Sequence, residues 1–287
     1  MGRVSDVIHY YCENAIKADS TGGFKLENNV GIFGYGVLGK QMQKLFPNAL
    51  IYDKYSGQKQ DLSGCKIAFI AVPTPLEDSV LDETELEDAV KNCPSGLLVL
   101  RSATNPGFAD RMSKKYGKRI LVQPEYFGET VNHPFATGGQ PPFIVIGGAP
   151  RDRRDLINLY ATVYHSNIKI RQVTALEAEV IKLSENRAIM YKLMQIQELF
   201  DACEASGVDF YTVRDAVYGD DPRFDLWWSF VYPHNRGAES KCLPKDVYAW
   251  EAWARINGAE TTAISGLLQY NNNLVGTEGT NTKQPEK

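Results

Sequence analysis

Val30-Gly31-Ile32-Phe33-Gly34-Tyr35-Gly36-Val37-Leu38-Gly39 is the stretch that decides the fold. Four residues of strand length and apolar character run directly into G-x-G-x-x-G, and Met42, Leu45 and Phe46 then recur at helical spacing. In a strand–turn–helix of this kind each glycine has its own task. Gly34 permits the tight turn, Gly36 lets a pyrophosphate approach the backbone, and Gly39 lets the helix pack on the sheet. The next apolar run, residues 49–52, ends at Asp53. A carboxylate there accepts from the ribose hydroxyls of an adenosine and repels a 2′-phosphate. The reading is an NAD site formed by Gly34, Tyr35, Gly36, Val37, Leu38, Gly39 and Asp53, with the neighbouring Lys54 as the feature that pulls toward NADP.

Outward from this unit the same alternation continues. Short apolar runs at residues 67–72, 97–100, 119–122 and 143–146 are separated by helix-like stretches, and Gly147-Gly148-Ala149-Pro150 closes the last of them. Runs that are apolar throughout are typical of strands buried on both faces, so the spacing predicts a doubly wound parallel sheet. A helix over 153–164 and a strand over 168–173 complete it. Beyond Thr174 the character changes. Residues 175–205 contain neither Pro nor Gly and read as one long helix with Thr174 as N-cap. Further helices follow at 211–218, 244–257 and 261–274. The fold class is therefore α/β, a Rossmann-type doubly wound sheet followed by an all-helical domain with one long central helix. The expected division is an N-terminal helical extension at 1–28, an NAD-binding domain at 29–173, a helical substrate and dimerisation domain at 174–275, and a disordered polar tail at 276–287.

Whole-chain properties narrow the function. The chain has 287 residues and a net charge of −4, which leaves no basic footprint for nucleic acid. No apolar run approaches the length of a membrane span, and the first residues hold no signal-peptide core. The five cysteines, Cys12, Cys65, Cys93, Cys203 and Cys242, have neither metal-knuckle nor disulfide-framework spacing. The expectation is a cytoplasmic protein with free thiols and no bound metal.

Four further segments carry chemistry. They are Ala71-Val72-Pro73-Thr74-Pro75, Arg101-Ser102-Ala103-Thr104-Asn105-Pro106-Gly107, Gln123-Pro124-Glu125-Tyr126-Phe127-Gly128-Glu129, and the pair formed by Glu179-Val180-Ile181-Lys182-Leu183-Ser184-Glu185-Asn186 with Cys242-Leu243-Pro244-Lys245-Asp246. In this order they resemble the V-P-T-P, K-S-T-V-x-P-G, N-P-E-F-L-x-E, E-x-x-K-x-x-x-N and C-F-P-K-D motifs of the UDP-glucose/GDP-mannose dehydrogenase family. The resemblance spans Val30 to about Asn272. It implies NAD-dependent oxidation of a primary alcohol on a nucleotide sugar, or a related sugar or nucleoside, to a carboxylate. It further implies two NAD per substrate, a thiohemiacetal and a thioester on Cys242, and a homodimer built along the long helix. Carried over residue by residue, Cys242, Lys182, Asn186, Asp246 and Glu125 are catalytic. Glu129, Tyr126, Phe127 and Lys245 bind substrate, and Val72, Pro73, Thr74, Ser102 and Thr104 join the cofactor residues.

Residue chemistry supports part of this independently. Lys182 and Asn186 lie four apart on a helix and project from one face. An ammonium and an amide aimed at one point can stabilise an oxyanion. Cys242 stands between Lys241 and Lys245, with Pro244 marking a helix start, and both surroundings favour a thiolate. The resemblance, not residue chemistry, implies that Glu125 is the base for thioester hydrolysis, with Glu129 as the second choice, and that Asp246 positions a water or balances Lys182. The family pattern is broken at Ala103, where it has threonine, and at Glu239-Ser240-Lys241, where it has a glycine pair. It ends after Leu274, so the resemblance implies a shortened form without the family's C-terminal nucleotide-binding domain. Trp227, Trp228, Phe230, Tyr232 and His234 form either an aromatic floor for a ligand or an interface core. Two other functions compete: a two-electron hydroxyacid-type dehydrogenase, and a non-catalytic NAD-binding homologue.

Overall fold

The computed structural model describes residues 30–126, 143–240 and 242–278. The N-terminal extension with Cys12, the substrate residues Phe127 and Glu129, Lys241, and residues 279–287 lie outside the described residues. Two compact units divide the chain. One comprises residues up to Thr74 together with Glu83–Glu179, the other Pro75–Asp82 together with Val180 onward.

The first unit is built on a seven-stranded sheet. Its strands are β1 (Val30–Phe33), β2 (Leu50–Tyr52), β3 (Ile67–Ile70), β6 (Leu97–Leu100), β7 (Ile120–Val122), β8 (Phe143–Gly147) and β9 (Lys169–Val173), in the order β2-β1-β3-β6-β7-β8-β9. The chain leaves β1 toward β2 on one side and resumes at β3 on the other, so strand order reverses at β1. The carboxyl ends of β1 and β3 border the crevice where ligands bind open α/β sheets. Strands β1, β3 and β6 are buried at every position, which requires cover on both faces and explains their unbroken apolar runs. Helices α1 (Val37–Leu45), α2 (Thr84–Asn92), α3 (Phe108–Tyr116) and α4 (Pro150–Tyr160) supply that cover. Phe46, Phe69 and Tyr160 stack on one another at centroid distances of 5.4, 6.1 and 6.2 Å, which fixes the end of α1 and the end of α4 to the same central strand.

The sheet is mixed rather than wholly parallel. Strand β8 pairs antiparallel with β7, through Val122 and Gly147, and β9 runs parallel to β8. Apolar content alone does not distinguish the two directions, since a buried strand reads the same either way.

The second unit is helical. The long helix α5 (Ala175–Ser206) begins in the first unit and continues here. Thr174 caps it as read from the sequence: its hydroxyl accepts from the Glu177 N–H at 3.2 Å, and Glu177 accepts from the Thr174 N–H at 2.7 Å. After α5 come α6 (Phe210–Arg214), a π-helical turn (Asp215–Asp220), α7 (Leu243–Ile256) and α8 (Thr262–Glu278). The helical segment predicted over 211–218 is thus two short pieces, and α8 continues past the predicted end at Leu274. A hairpin absent from the sequence reading, β4 (Leu76–Glu77) and β5 (Val80–Leu81), belongs to this unit and packs on α7. Its turn, Asp78-Ser79, has positive φ at both residues and carries no glycine to announce it. Met190, Leu193, Met194, Val247, Ile264 and Leu268 form the core between α5, α7 and α8.

Gly147 ends β8 where the chain has no room for a side chain. A Cβ there would stand 2.5 Å from both the Ala178 Cβ and the Thr174 oxygen. Gly147→Ala is expected to cost about 1–3 kcal/mol and to lower Tm by several degrees in a thermal melt. Gly64→Ala, with nothing within 4 Å of the new methyl, should leave Tm nearly unchanged.

Candidate functional site

At the carboxyl end of β1 the glycines behave as their spacing requires. Gly34 has φ +99°, and a Cβ there would overlap the Ala71 carbonyl; one on Gly39 would overlap the Gly34 carbonyl. Both positions admit only glycine. At Gly36, by contrast, the space beside the backbone is open. Helix α1 starts there with no side-chain cap, so its first N–H groups are left for a ligand.

Asp53 follows β2. Its Oδ2 accepts from the Tyr35 N–H at 2.7 Å, and its Oδ1 accepts from the Tyr55 and Ser56 N–H groups at 2.9 and 2.6 Å. Burial pushes this carboxyl up, and the three amide bonds outweigh it, holding it below the usual carboxylate range. The carboxylate therefore fixes the Gly-rich loop itself and retains lone pairs for further donors. Lys54, the residue that pulled toward NADP, is turned to Glu85 at 3.2 Å and Asp88 at 3.5 Å. A bare helix N-terminus, an open glycine and an ionised acid at the end of β2 fit a dinucleotide with a free 2′-hydroxyl.

The loops after β3 and β6 are stapled to each other. The Ser102 hydroxyl donates to the Val72 oxygen at 2.6 Å and the Thr74 hydroxyl to the Ala103 oxygen at 2.9 Å. Ser102, Thr74 and Thr104 are all buried. The hydroxyls of Ser102 and Thr74 thus shape the crevice from beneath. Ala103 contributes its carbonyl to this staple, which a threonine would do equally well.

Glu125 follows β7. Its Oε2 accepts from the Arg101 guanidinium and its Oε1 from the Tyr126 N–H at 2.7 Å. Glu179, which the sequence reading quoted without a role, proves to be a central fixture. It is 1% exposed and accepts from the Gly107 N–H at 2.5 Å and the Ala109 N–H at 2.9 Å, capping α3 from a distant part of the chain. Burial pushes its carboxyl up to about 7, against the pull of those amides and of the Thr104 hydroxyl. The signal for it was present: a glutamate heading E-x-x-K, and a glycine ending the 101–107 loop with no polar cap of its own.

In the second unit, Asn186 and Asp246 meet. The Asn186 amide donates to Asp246 Oδ2 at 2.6 Å, and Lys245 Nζ donates to Asp246 Oδ1 at 2.8 Å. Asp246 is 1% exposed, so a carboxylate there needs both donors. Lys245, expected to bind substrate, is paired with its neighbour in this way. Lys182 lies one helical turn before Asn186 and is half-buried. Cys242 is exposed, whereas Cys65, Cys93 and Cys203 are buried. It stands at the start of α7, where the Asp246 N–H returns to its carbonyl at 3.0 Å. The loop before it is pinned by buried Asn271, which accepts from the Ala238 N–H at 2.7 Å, and by Arg236, which bonds Gln197 and pairs with Asp201 at 2.6 Å. Arg187, beside Asn186, lies between the rings of Tyr191 and Trp250, 4.8 and 4.2 Å from their centroids, and so ties α5 to α7. Among the aromatic residues singled out in the loop, Trp227, Phe230 and Tyr232 are exposed, while Trp228 packs against the helical core.

Comparison with known proteins agrees with the motifs. Residues 176–273 match the central domain of the UDP-glucose/GDP-mannose dehydrogenase family. A UDP-glucose 6-dehydrogenase of Rickettsia bellii is 22% identical over 80% of this chain and 55% of its own length. One from Pseudomonas aeruginosa is 26% identical over 74% of this chain and 49% of its own. The chain spans about half the length of these curated relatives. Among solved structures, a UDP-glucose dehydrogenase from Pyrobaculum islandicum superposes with a TM-score of 0.71 at 21% identity, over 85% of this chain and 68% of that one. A GDP-mannose dehydrogenase ternary complex from Pseudomonas aeruginosa gives 0.58 at 22% identity, over 86% and 69%. The structures bear out the fold: a Rossmann-like sheet followed by a helical domain with one long helix.

Glu179 makes stability depend on pH. Its folded carboxyl sits at about 7, above the unfolded value near 4.5, so between these the folded state holds the extra proton. Stability is therefore lost as pH rises through this window, on the order of 3 kcal/mol in total. Glu179→Gln should flatten the fall in Tm between pH 5 and pH 8, which melts across that range will show.

Proposed function

Taking the chain as a relative of the UDP-glucose/GDP-mannose dehydrogenase family, we propose that it oxidises the primary alcohol of a nucleotide sugar or related sugar to a carboxylate. The observation that carries this reading is the grouping on one helix start. Exposed Cys242 opens α7, and one turn on, buried Asp246 is held by Asn186 and Lys245. A single hydride transfer has no use for a thiol at that position, whereas oxidation beyond the aldehyde does.

The roles follow unit by unit. In the first, the N-terminus of α1, Gly36 and Asp53 would hold NAD, which when bound accepts the hydride of each oxidation. In the second, the Cys242 thiolate adds to the aldehyde carbon and the carbonyl oxygen becomes a thiohemiacetal oxygen. Lys182 and the second N–H of the Asn186 amide stabilise that oxygen. Loss of hydride from the same carbon leaves a thioester. The base of hydrolysis, taken from the family resemblance alone, is Glu125 of the first unit: it takes a proton from water as the water oxygen attacks the thioester carbon, and the C–S bond breaks to release acid and thiolate. A cavity of about 10 Å³ bordered by Glu125, Arg101 and Tyr164 has room for a single water. Asp246 holds Asn186 in the orientation this requires, with Lys245 as its counter-ion.

The finer assignments belong to the same proposal. Residues 29–173 bind NAD and 174–275 bind substrate and a second copy of the chain, with Tyr126, Phe127 and Glu129 on the substrate. The working form is a cytoplasmic homodimer. No helix of the described residues is long and apolar enough to cross a membrane, and the second unit leaves Val208, Tyr211, Trp227 and Ile256 exposed.

The test is the ratio of NADH formed to substrate consumed, with UDP-glucose, UDP-N-acetylmannosamine and GDP-mannose supplied in turn. Two NADH per substrate are expected, with a uronic acid as product, and Cys242→Ser should abolish acid formation while NAD still binds. One NADH, indifferent to the loss of the thiol, would place the chain with two-electron dehydrogenases. NAD binding without turnover of any substrate would make it a non-catalytic homologue.

A further inference from the structure

Arg101 is an unusual feature of the first unit: a fully charged side chain, 3% exposed, at the carboxyl end of a central strand. It extends β6, its N–H bonding the Ile70 oxygen at 2.9 Å, and Gln123 extends neighbouring β7 in the same manner, through the Leu100 oxygen at 2.9 Å. The register places Leu100 beside Val122, so Arg101 lies next to the segment that carries Glu125. Its guanidinium spreads over that segment. One terminal nitrogen donates to the Gln123 oxygen at 2.9 Å and to the Pro124 oxygen at 3.4 Å, and the other pairs with Glu125. Gln123 is in turn bonded by the Tyr160 hydroxyl. A planar fork suits this arrangement, because three acceptors lie within the reach of two nitrogens, and an ammonium is a point charge that cannot span them.

Among the described residues Glu125 is the one acidic partner of this buried cation. The other titratable groups around the pair, among the described residues, are phenols: Tyr160 and Tyr164, both pushed above their ordinary range by burial and so neutral at working pH, and Tyr126, which borders the same cavity. Removing Arg101 takes away the cation paired with this carboxylate. It also removes the donor that fixes one of its two oxygens.

We propose that Arg101 is the positioning residue of Glu125, fixing its orientation through a bond to one carboxylate oxygen while the Tyr126 N–H holds the other. The inference rests on the reading of Glu125 as the base for hydrolysis. Arg101 itself exchanges no proton in that step; it acts through Glu125, whose carboxylate it holds in one orientation.

The experiment compares wild type, Arg101→Lys and Arg101→Met in acid formation as a function of pH, with the NADH ratio recorded alongside. Arg101→Met should lower kcat for acid formation about 100-fold with KM nearly constant. Arg101→Lys keeps the charge and loses the fork, so its kcat should fall as well, which a role through charge alone would not produce. An Arg101→Met enzyme that retains the wild-type profile and rate overturns the proposal. Should Arg101→Met unfold, the pair Arg101→Met/Glu125→Gln must melt above Arg101→Met alone; equal melting would overturn the proposal by showing that the two groups are not coupled. A wild type that forms no acid from any substrate removes the reading beneath the inference, and is distinguished from the other outcomes by the missing NADH.

Discussion

A buried carboxylate must find donors, and Glu179 finds them in the unsatisfied N–H groups at the start of α3. This interaction joins residues 70 and more apart in sequence. It holds the end of the 101–107 loop against the first turn and a half of α5, and so fixes the path of the chain where it leaves the sheet. The loop in question carries Arg101, Ser102 and Ala103, and through them it is bonded to the loops after β3 and β7. The residues just after β3, β6 and β7 are thereby tied together at the carboxyl edge of the sheet. Gly107 has φ +91° at the first of these contacts, and the left-handed conformation is what turns its N–H toward Glu179.

The same physics accounts for what the sequence made legible. Strand and helix types could be read from residue 30 onward because burial on both faces leaves an unbroken apolar run, and because the β1–α1 turn admits glycine alone at positions 34 and 39. Thr174 announced the start of α5 as its N-cap, to which the structure adds Glu177 as a reciprocal partner, and the helix runs to Ser206, one residue beyond the predicted end. The direction of β8 was not legible, since strand polarity depends on the route of the preceding segment and not on the strand's own residues. Neither was the β4–β5 hairpin, whose two-residue strands are too short for a period and whose Asp78-Ser79 turn lacks glycine.

At the site, residue types were legible and pairings were not. Asn186, Asp246 and Cys242 could be singled out from motifs, and the structure brings Asn186 to Asp246 across 60 positions of sequence. Lys245 illustrates the limit. The family resemblance marks it as a substrate residue, and nothing in the sequence announces its ion pair with Asp246, which is almost fully buried. The difference lies in desolvation: a carboxylate with 1% exposure needs compensation within hydrogen-bonding reach, and burial is a property of the folded chain alone.

Arg101 and Arg187 show the converse, residues whose importance emerges from surroundings rather than motif. Each is a guanidinium held against other groups by its planar shape, Arg101 over three oxygens and Arg187 between two rings. Each also adjoins a candidate catalytic residue, Glu125 in space and Asn186 in sequence. A lysine could balance charge at either place, but it could not stack between Tyr191 and Trp250 or divide its donors among Gln123, Pro124 and Glu125. The chain thus places arginine beside two candidate catalytic residues, at points where one planar cation meets several partners at once.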